Sequence, residues 1–118
     1  MLKGPSSSVR IYYPRFDKHQ LVQKLKEELN ILEERLPLML VVLFGSYARG
    51  NYTVASDVDL LVVYEGRTRE DAFALVKRNL SIPRLEPHVY AETEYKELEE
   101  TISKMIEDGI VLLNRGMI

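Results

Sequence analysis

Two features ten residues apart carry the chemistry of this chain, the dipeptide Gly45-Ser46 and the triplet Asp57-Val58-Asp59. Side chains of an extended chain alternate between faces, so Asp57 and Asp59 project together with Val58 opposite. Carboxylates held that close repel unless a cation sits between them. Hard divalent ions want such oxygens, and magnesium is held by one or two carboxylates together with substrate phosphates. A solvated strand edge has the same look in isolation. Here the pair runs directly into Leu60-Leu61-Val62-Val63, which puts the charges at the rim of a core strand. Gly45 has no Cβ and lets a ligand approach the backbone closely, and Ser46-Tyr47-Ala48-Arg49 reads as the first turn of a helix closed by Gly50, whose free N–H groups suit a phosphate. An ordinary strand-to-helix turn with a serine cap fits the same residues.

The joint spacing is more specific than either part. Gly45-Ser46, then Ala48-Arg49-Gly50, then Ser56-Asp57-Val58-Asp59-Leu60 resembles the signature of the nucleotidyltransferase fold of the DNA polymerase β superfamily, in particular the minimal nucleotidyltransferases, small single-domain proteins of bacteria and archaea. The match is specific over Leu43 to Val63. The resemblance implies that Asp57 and Asp59 hold two Mg2+ ions, that Gly45 and Ser46 grip the β- and γ-phosphates of ATP, and that pyrophosphate leaves as a nucleoside monophosphate is transferred. It also implies a third carboxylate on a later strand, near the attacking hydroxyl. In Arg84-Leu85-Glu86-Pro87-His88-Val89-Tyr90-Ala91 the residue on that face is Glu86, which departs from the aspartate often found there. His88 lies on the same face and is the alternative third ligand or base. Arg49 is a candidate triphosphate or acceptor contact, because guanidinium matches phosphate in a bidentate fork, and a solvated arginine is its alternative. Tyr47 and Tyr52 flank the turn and read as cover for the core rather than as a base stack. His19 reads as a surface residue.

These groups need a scaffold. Residues 1–15, with Gly4-Pro5-Ser6-Ser7-Ser8 and Pro14, have the composition of a loose amino-terminal arm, and residues 16–118 form the nucleotidyltransferase domain that the resemblance implies. Leu21, Leu25, Leu29, Leu32 and Leu36 predict a helix from Asp17 to Leu36, stopped by Pro37. Strands are expected at Met39–Phe44, Asp57–Tyr64 and Leu85–Tyr90. Thr68, with Asp71 in the capping-box position, starts a helix running through Asn79. Thr93 caps a last helix to Asp108, striped by Tyr95, Leu98, Ile102 and Met105 and ended by Gly109. Ile110-Val111-Leu112-Leu113 is expected to be a short final strand. The fold class is α/β of the α+β type, a single small domain with a mixed β-sheet flanked by helices, mainly on one side.

Composition narrows the function. A chain of 118 residues supports one core and is too small for a second, base-gripping domain. Sixteen basic and eighteen acidic residues leave a formal charge of −2, which offers no strong field for nucleic acid. The absence of cysteine removes disulfides and thiolate metal sites and fits a cytoplasmic protein, and no stretch reaches the ~20 apolar residues that span a membrane. The resemblance then implies transfer of AMP from ATP to a hydroxyl acceptor, a tyrosine of a HEPN-domain toxin, by the antitoxin of a toxin–antitoxin pair. Two readings stand beside it: a binding module that neutralises its partner by complex formation alone, and a small-molecule, aminoglycoside-type nucleotidyltransferase, which would need a homo-oligomer to build its acceptor pocket.

Overall fold

Leucines at 21, 25, 29 and 32 lie on one stripe of the first helix, α1 (Lys18–Leu32), and all four are buried. Its start is fixed by reciprocal capping: the Asp17 carboxylate accepts the N–H of Gln20 at 2.8 Å, and the Gln20 amide oxygen accepts the N–H of Asp17 at 3.0 Å. The computed structural model describes residues 16–118, and the expected arm at residues 1–15 lies outside the described residues. The helix ends at Leu32, short of Leu36, and the N–H groups of Arg35 and Leu36 both fold back onto the Leu32 carbonyl. Leu36 precedes a proline, whose ring disfavours helical backbone there, yet the turn still buries Leu36 completely.

The remaining elements are β1 (Leu38–Phe44), α2 (Ser46–Arg49), β2 (Val58–Tyr64), α3 (Ala72–Asn79), β3 (Leu85–Ala91), α4 (Glu92–Met105) and β4 (Ile110–Asn114). They form one mixed sheet in the order β3-β2-β1-β4. β1 pairs antiparallel with β2 and β4, and β2 pairs parallel with β3 through the α3 crossover. The two inner strands, β1 and β2, bury apolar runs on both faces. On one face, Val41, Leu43, Leu60 and Val62 pack with the α1 leucines, with Leu75 and Val76 of α3, and with Tyr47 of α2. On the other, Leu40, Val42, Leu61 and Val63 pack with Tyr95 and Ile102 of α4 and with Ile106 just beyond it. Three helices therefore share one side of the sheet and α4 covers the other. β4, read from four apolar residues, is a strand as expected. Among the described residues no helix is long and apolar enough to cross a membrane.

Two helix starts differ from the sequence expectation, and both differences come from competing hydrogen bonds. α3 begins at Ala72 rather than after Thr68. The Arg69 guanidinium takes both oxygens of Asp71, at 3.0 and 2.9 Å, and the Arg69 N–H goes to the Tyr64 hydroxyl at 2.8 Å, so Asp71 serves an arginine instead of a capping box. That pairing holds the Asp71 carboxyl below its ordinary pKa. α4 begins at Glu92, because Glu94 reaches back to the N–H of Ala91 at 2.8 Å and the N–H of Thr93 goes to the Gly66 carbonyl at 3.2 Å. Thr93 sits inside the first turn.

The link from α4 back into the sheet is tight. A Cβ on Gly109 would lie 2.5 Å from the Val42 side chain and 3.0 Å from the carbonyl oxygens of Ile106 and Leu43. Gly109→Ala must therefore push β1 away from the end of α4. We expect it to lower the stability by about 1–3 kcal/mol, the usual range for overpacking. Urea unfolding checks this: the midpoint should fall with the slope unchanged.

Candidate active site

β1 delivers the chain to Gly45, which takes φ 81° and ψ −155°, a backbone region open essentially to glycine alone. Gly45 is also the residue that precedes the first turn of α2, so that place falls to it rather than to Ser46. Gly50 closes the four-residue helix in the left-handed conformation, φ 83°. The conformation of Gly45 is matched by a contact. A Cβ at Gly45 would stand 2.3 Å from Oδ2 of Asp59, so the missing side chain is the space the Asp59 carboxylate occupies. The sheet register makes the meeting unavoidable, since Asp59 of β2 pairs with Phe44 of β1, the residue before the glycine.

The parallel ladder between β2 and β3 decides what else arrives there. Asp59 is level with Glu86 and Leu61 with His88, which brings the acidic strand mouth and both later candidates to one end of one sheet face. His88 Nε2 lies 3.6 Å from Asp59 Oδ1, and its ring packs on Phe44 with centroids 5.1 Å apart at 56°. Asp57 lies one residue ahead of β2, where its Oδ1 is 3.2 Å from Nη2 of Arg84. Asp57, Arg84, Leu85 and Glu86 line a shallow cavity of about 170 Å³. Asp57 and Glu86 thus face one cavity, while Asp59 stands between Gly45 and His88.

Carboxylate oxygens at the mouth of a core strand are the right chemistry for a hard divalent cation, and Asp57 and Asp59 would hold it, with Glu86 or His88 next to them. Their present partners are protein groups. Asp57 is turned to Arg84 and Asp59 to His88, and among the described residues no three Asp, Glu or His side chains converge into a finished metal cage. The donor set fits in kind, with the rest of the coordination left to a substrate.

Around the turn, Tyr47 and Tyr52 stack at 4.2 Å and 8°, and Tyr47 is buried. The Tyr52 hydroxyl accepts the N–H of Lys18 at 3.0 Å, and Lys18 Nζ donates to the Ala48 carbonyl at 3.0 Å. The tyrosines tie α2 to the start of α1, as core cover would. Burial, reinforced by Tyr52 beside it, raises the pKa of the Tyr47 phenol. Arg49 and His19 are exposed. The loop between α2 and β2 is set by the Ser56 hydroxyl, which accepts the N–H of Thr53 at 2.8 Å. Sequence reasoning missed Arg84 as the partner of Asp57. The signal was present: in a parallel pair that sets Glu86 level with Asp59, the residue two before Glu86 falls level with Asp57.

Comparisons with known proteins bear on the family and the fold. The family model described as "Nucleotidyltransferase domain" matches residues 23–113. A protein of Methanocaldococcus jannaschii named "Putative protein adenylyltransferase MJ0604" is 46% identical over 41 residues, which cover 33% of this chain and 41% of that protein. The match therefore spans about two fifths of that relative's length. The crystal structure of "a putative nucleotidyltransferase" from Sulfolobus solfataricus superposes with a TM-score of 0.60 at 25% identity, covering 86% of both chains. A second structure, "tri-AMPylated Shewanella oneidensis HEPN toxin in complex with MNT antitoxin", is matched with a TM-score of 0.52 at 18% identity over 79% of this chain and 72% of that one, a likeness of fold.

The contact between Gly45 and Asp59 is open to a direct check. Gly45→Ala carries both a steric clash and a backbone penalty, and we expect a loss of about 1–3 kcal/mol from the backbone alone. Asp59→Ala in the same chain removes the clash and leaves the backbone penalty. The double-mutant cycle should therefore give a coupling of about 0.5–3 kcal/mol in urea unfolding, where strict additivity would show that the two residues do not share that space.

Proposed function

The chain belongs to the nucleotidyltransferase domain family, and from that premise we propose that it transfers AMP from ATP to a hydroxyl acceptor, a tyrosine of a HEPN-domain toxin, acting in the cytoplasm as the antitoxin of the pair. The observation that carries the reading is the paired acids at the mouth of β2, with Asp59 seated on the bare Cα of Gly45. The name of the Methanocaldococcus jannaschii relative supports a protein acceptor, and the complex of an AMPylated HEPN toxin with an MNT antitoxin supports the partner class.

In this reading Asp57 and Asp59 hold two Mg2+ ions, which when bound supply charge neutralisation at the attacking and leaving oxygens. The turn at Gly45 and Ser46 offers backbone N–H groups to the β- and γ-phosphates, and Arg49, at the exposed end of α2, offers a guanidinium to the triphosphate or the acceptor. The acceptor oxygen bonds to the α-phosphorus as the bridging bond to the β-phosphate breaks, and pyrophosphate departs with that electron pair. The acceptor proton passes to Glu86, or to His88 in its place, both on the face of Asp59. In this reading the docked toxin presents the acceptor.

Asp57 turned to Arg84 and Asp59 turned to His88 favour one other reading, a binding module that silences its partner by complex formation with the acids unused. One experiment separates the two. The protein is mixed with ATP, Mg2+ and a HEPN-domain partner, and the partner is weighed by intact-mass spectrometry. An added AMP that falls by at least about a hundredfold in rate for Asp57→Ala and Asp59→Ala is the expected result, since metal-held charge is worth several kcal/mol. Neutralisation of the partner that persists in both variants with no added mass overturns the transferase reading in favour of the binding module.

A further inference from the structure

Arg84 is the one residue other than glycine, among those described, with positive φ, at 61°. Left-handed backbone is strained for a side chain of this size, and a glycine would sit there without penalty. What the arginine gains in return is slight as structure. Its carbonyl accepts the N–H of Val58 at 2.9 Å, a bond that any residue would make. Its guanidinium pairs with Asp57 while both side chains remain 54% exposed, and exposed ion pairs contribute little to folding. An observed backbone outlier with no structural return is a pointer to function. The outlier lies in the cavity wall, with Asp57 and Glu86 as the other polar groups around it.

The charges in that cavity define two alternative states. With no other cation present, the guanidinium is the cation that neutralises Asp57, at 3.2 Å. A divalent ion drawn to Asp57 competes with the guanidinium for Oδ1, and where the ion takes that oxygen the pair opens. The freed guanidinium then stands at the rim of the same cavity with its donors unpaired, beside whatever anion accompanies the metal, and a guanidinium fork is made for phosphate oxygens. We propose that Arg84 is a positioning residue that exchanges Asp57 for the triphosphate, opposing binding of metal alone and favouring binding of metal together with nucleotide. The inference rests on the nucleotidyltransferase reading above and adds to it an order of binding.

The two halves of the exchange have opposite signs, which is what a test can read. Arg84→Gln and Arg84→Gly remove the guanidinium, and the glycine variant also relieves the backbone, so agreement between them excludes a backbone effect. Titration calorimetry with Mn2+ alone should give about two- to fivefold tighter binding in both variants, the range expected when an exposed ion pair no longer competes. Titration with a non-hydrolysable ATP analogue at saturating Mn2+ should give about tenfold weaker binding in both, the loss of a charged hydrogen-bond donor to phosphate. Arg84→Lys keeps the charge without the fork and should recover only part of the nucleotide affinity. A change in only one of the two titrations, or in the opposite direction, overturns the exchange. If the unaltered protein binds both Mn2+ and the analogue, that failure belongs to Arg84 alone. If it binds neither, the transferase reading itself fails.

Discussion

The Cβ that Gly45 lacks is the space in which the Asp59 carboxylate sits. Any side chain at position 45 would meet that oxygen at well under van der Waals distance, and no other residue type adopts the backbone found there at tolerable cost. Two constraints are thereby met by one residue. The chain leaves β1 at the angle that starts α2, and the carboxylate of the neighbouring strand is received against bare backbone. The turn and the acid are one unit, which is why their spacing in sequence is informative while each part alone is commonplace.

Everything else at this end of the molecule is placed by strand pairing. β1 runs antiparallel to β2 and sets Phe44 against Asp59, while β3 runs parallel to β2 and sets Glu86 level with Asp59. A one-residue slip would turn each side chain to the opposite face. Such a slip is resisted by the two apolar layers, since the inner strands are buried on both faces and either layer would have to exchange its residues for the other's. The polar end of the sheet is precise because the apolar remainder leaves it no freedom, and the stacked pair Tyr47 and Tyr52 secures the short α2 against α1 in the same way.

The electrostatics of the cleft are unlike those of a finished metal cage. Each aspartate already faces a nitrogen, Asp57 that of Arg84 and Asp59 that of His88. The Arg84 guanidinium offsets the charge of Asp57, whereas a third acid would add to the repulsion between carboxylates. The sites are exposed enough for water and ions to exchange, so the pairs are weak and replaceable.

The order of elements was legible because apolar periodicity is local. The leucine stripe of α1, the runs of β1 and β2 and the four apolar residues of β4 are each dictated within a few residues. Asp57, Asp59 and the Gly45 turn were legible for the same reason, as a motif of fixed spacing. Where helices begin was less so: Thr68, with Asp71 in the capping box, and Thr93 are plausible caps in sequence, but Asp71 was claimed by its near neighbour Arg69 and the N–H of Thr93 by the carbonyl of Gly66, which the fold brings near. The companion of Asp57 also lay beyond local reading, because Arg84 is distant along the chain and meets it only through the parallel register of β2 and β3. Residue types and spacing determined which groups could do chemistry, whereas the pairing of strands decided which of them face one another, since that depends on burying two apolar layers at once.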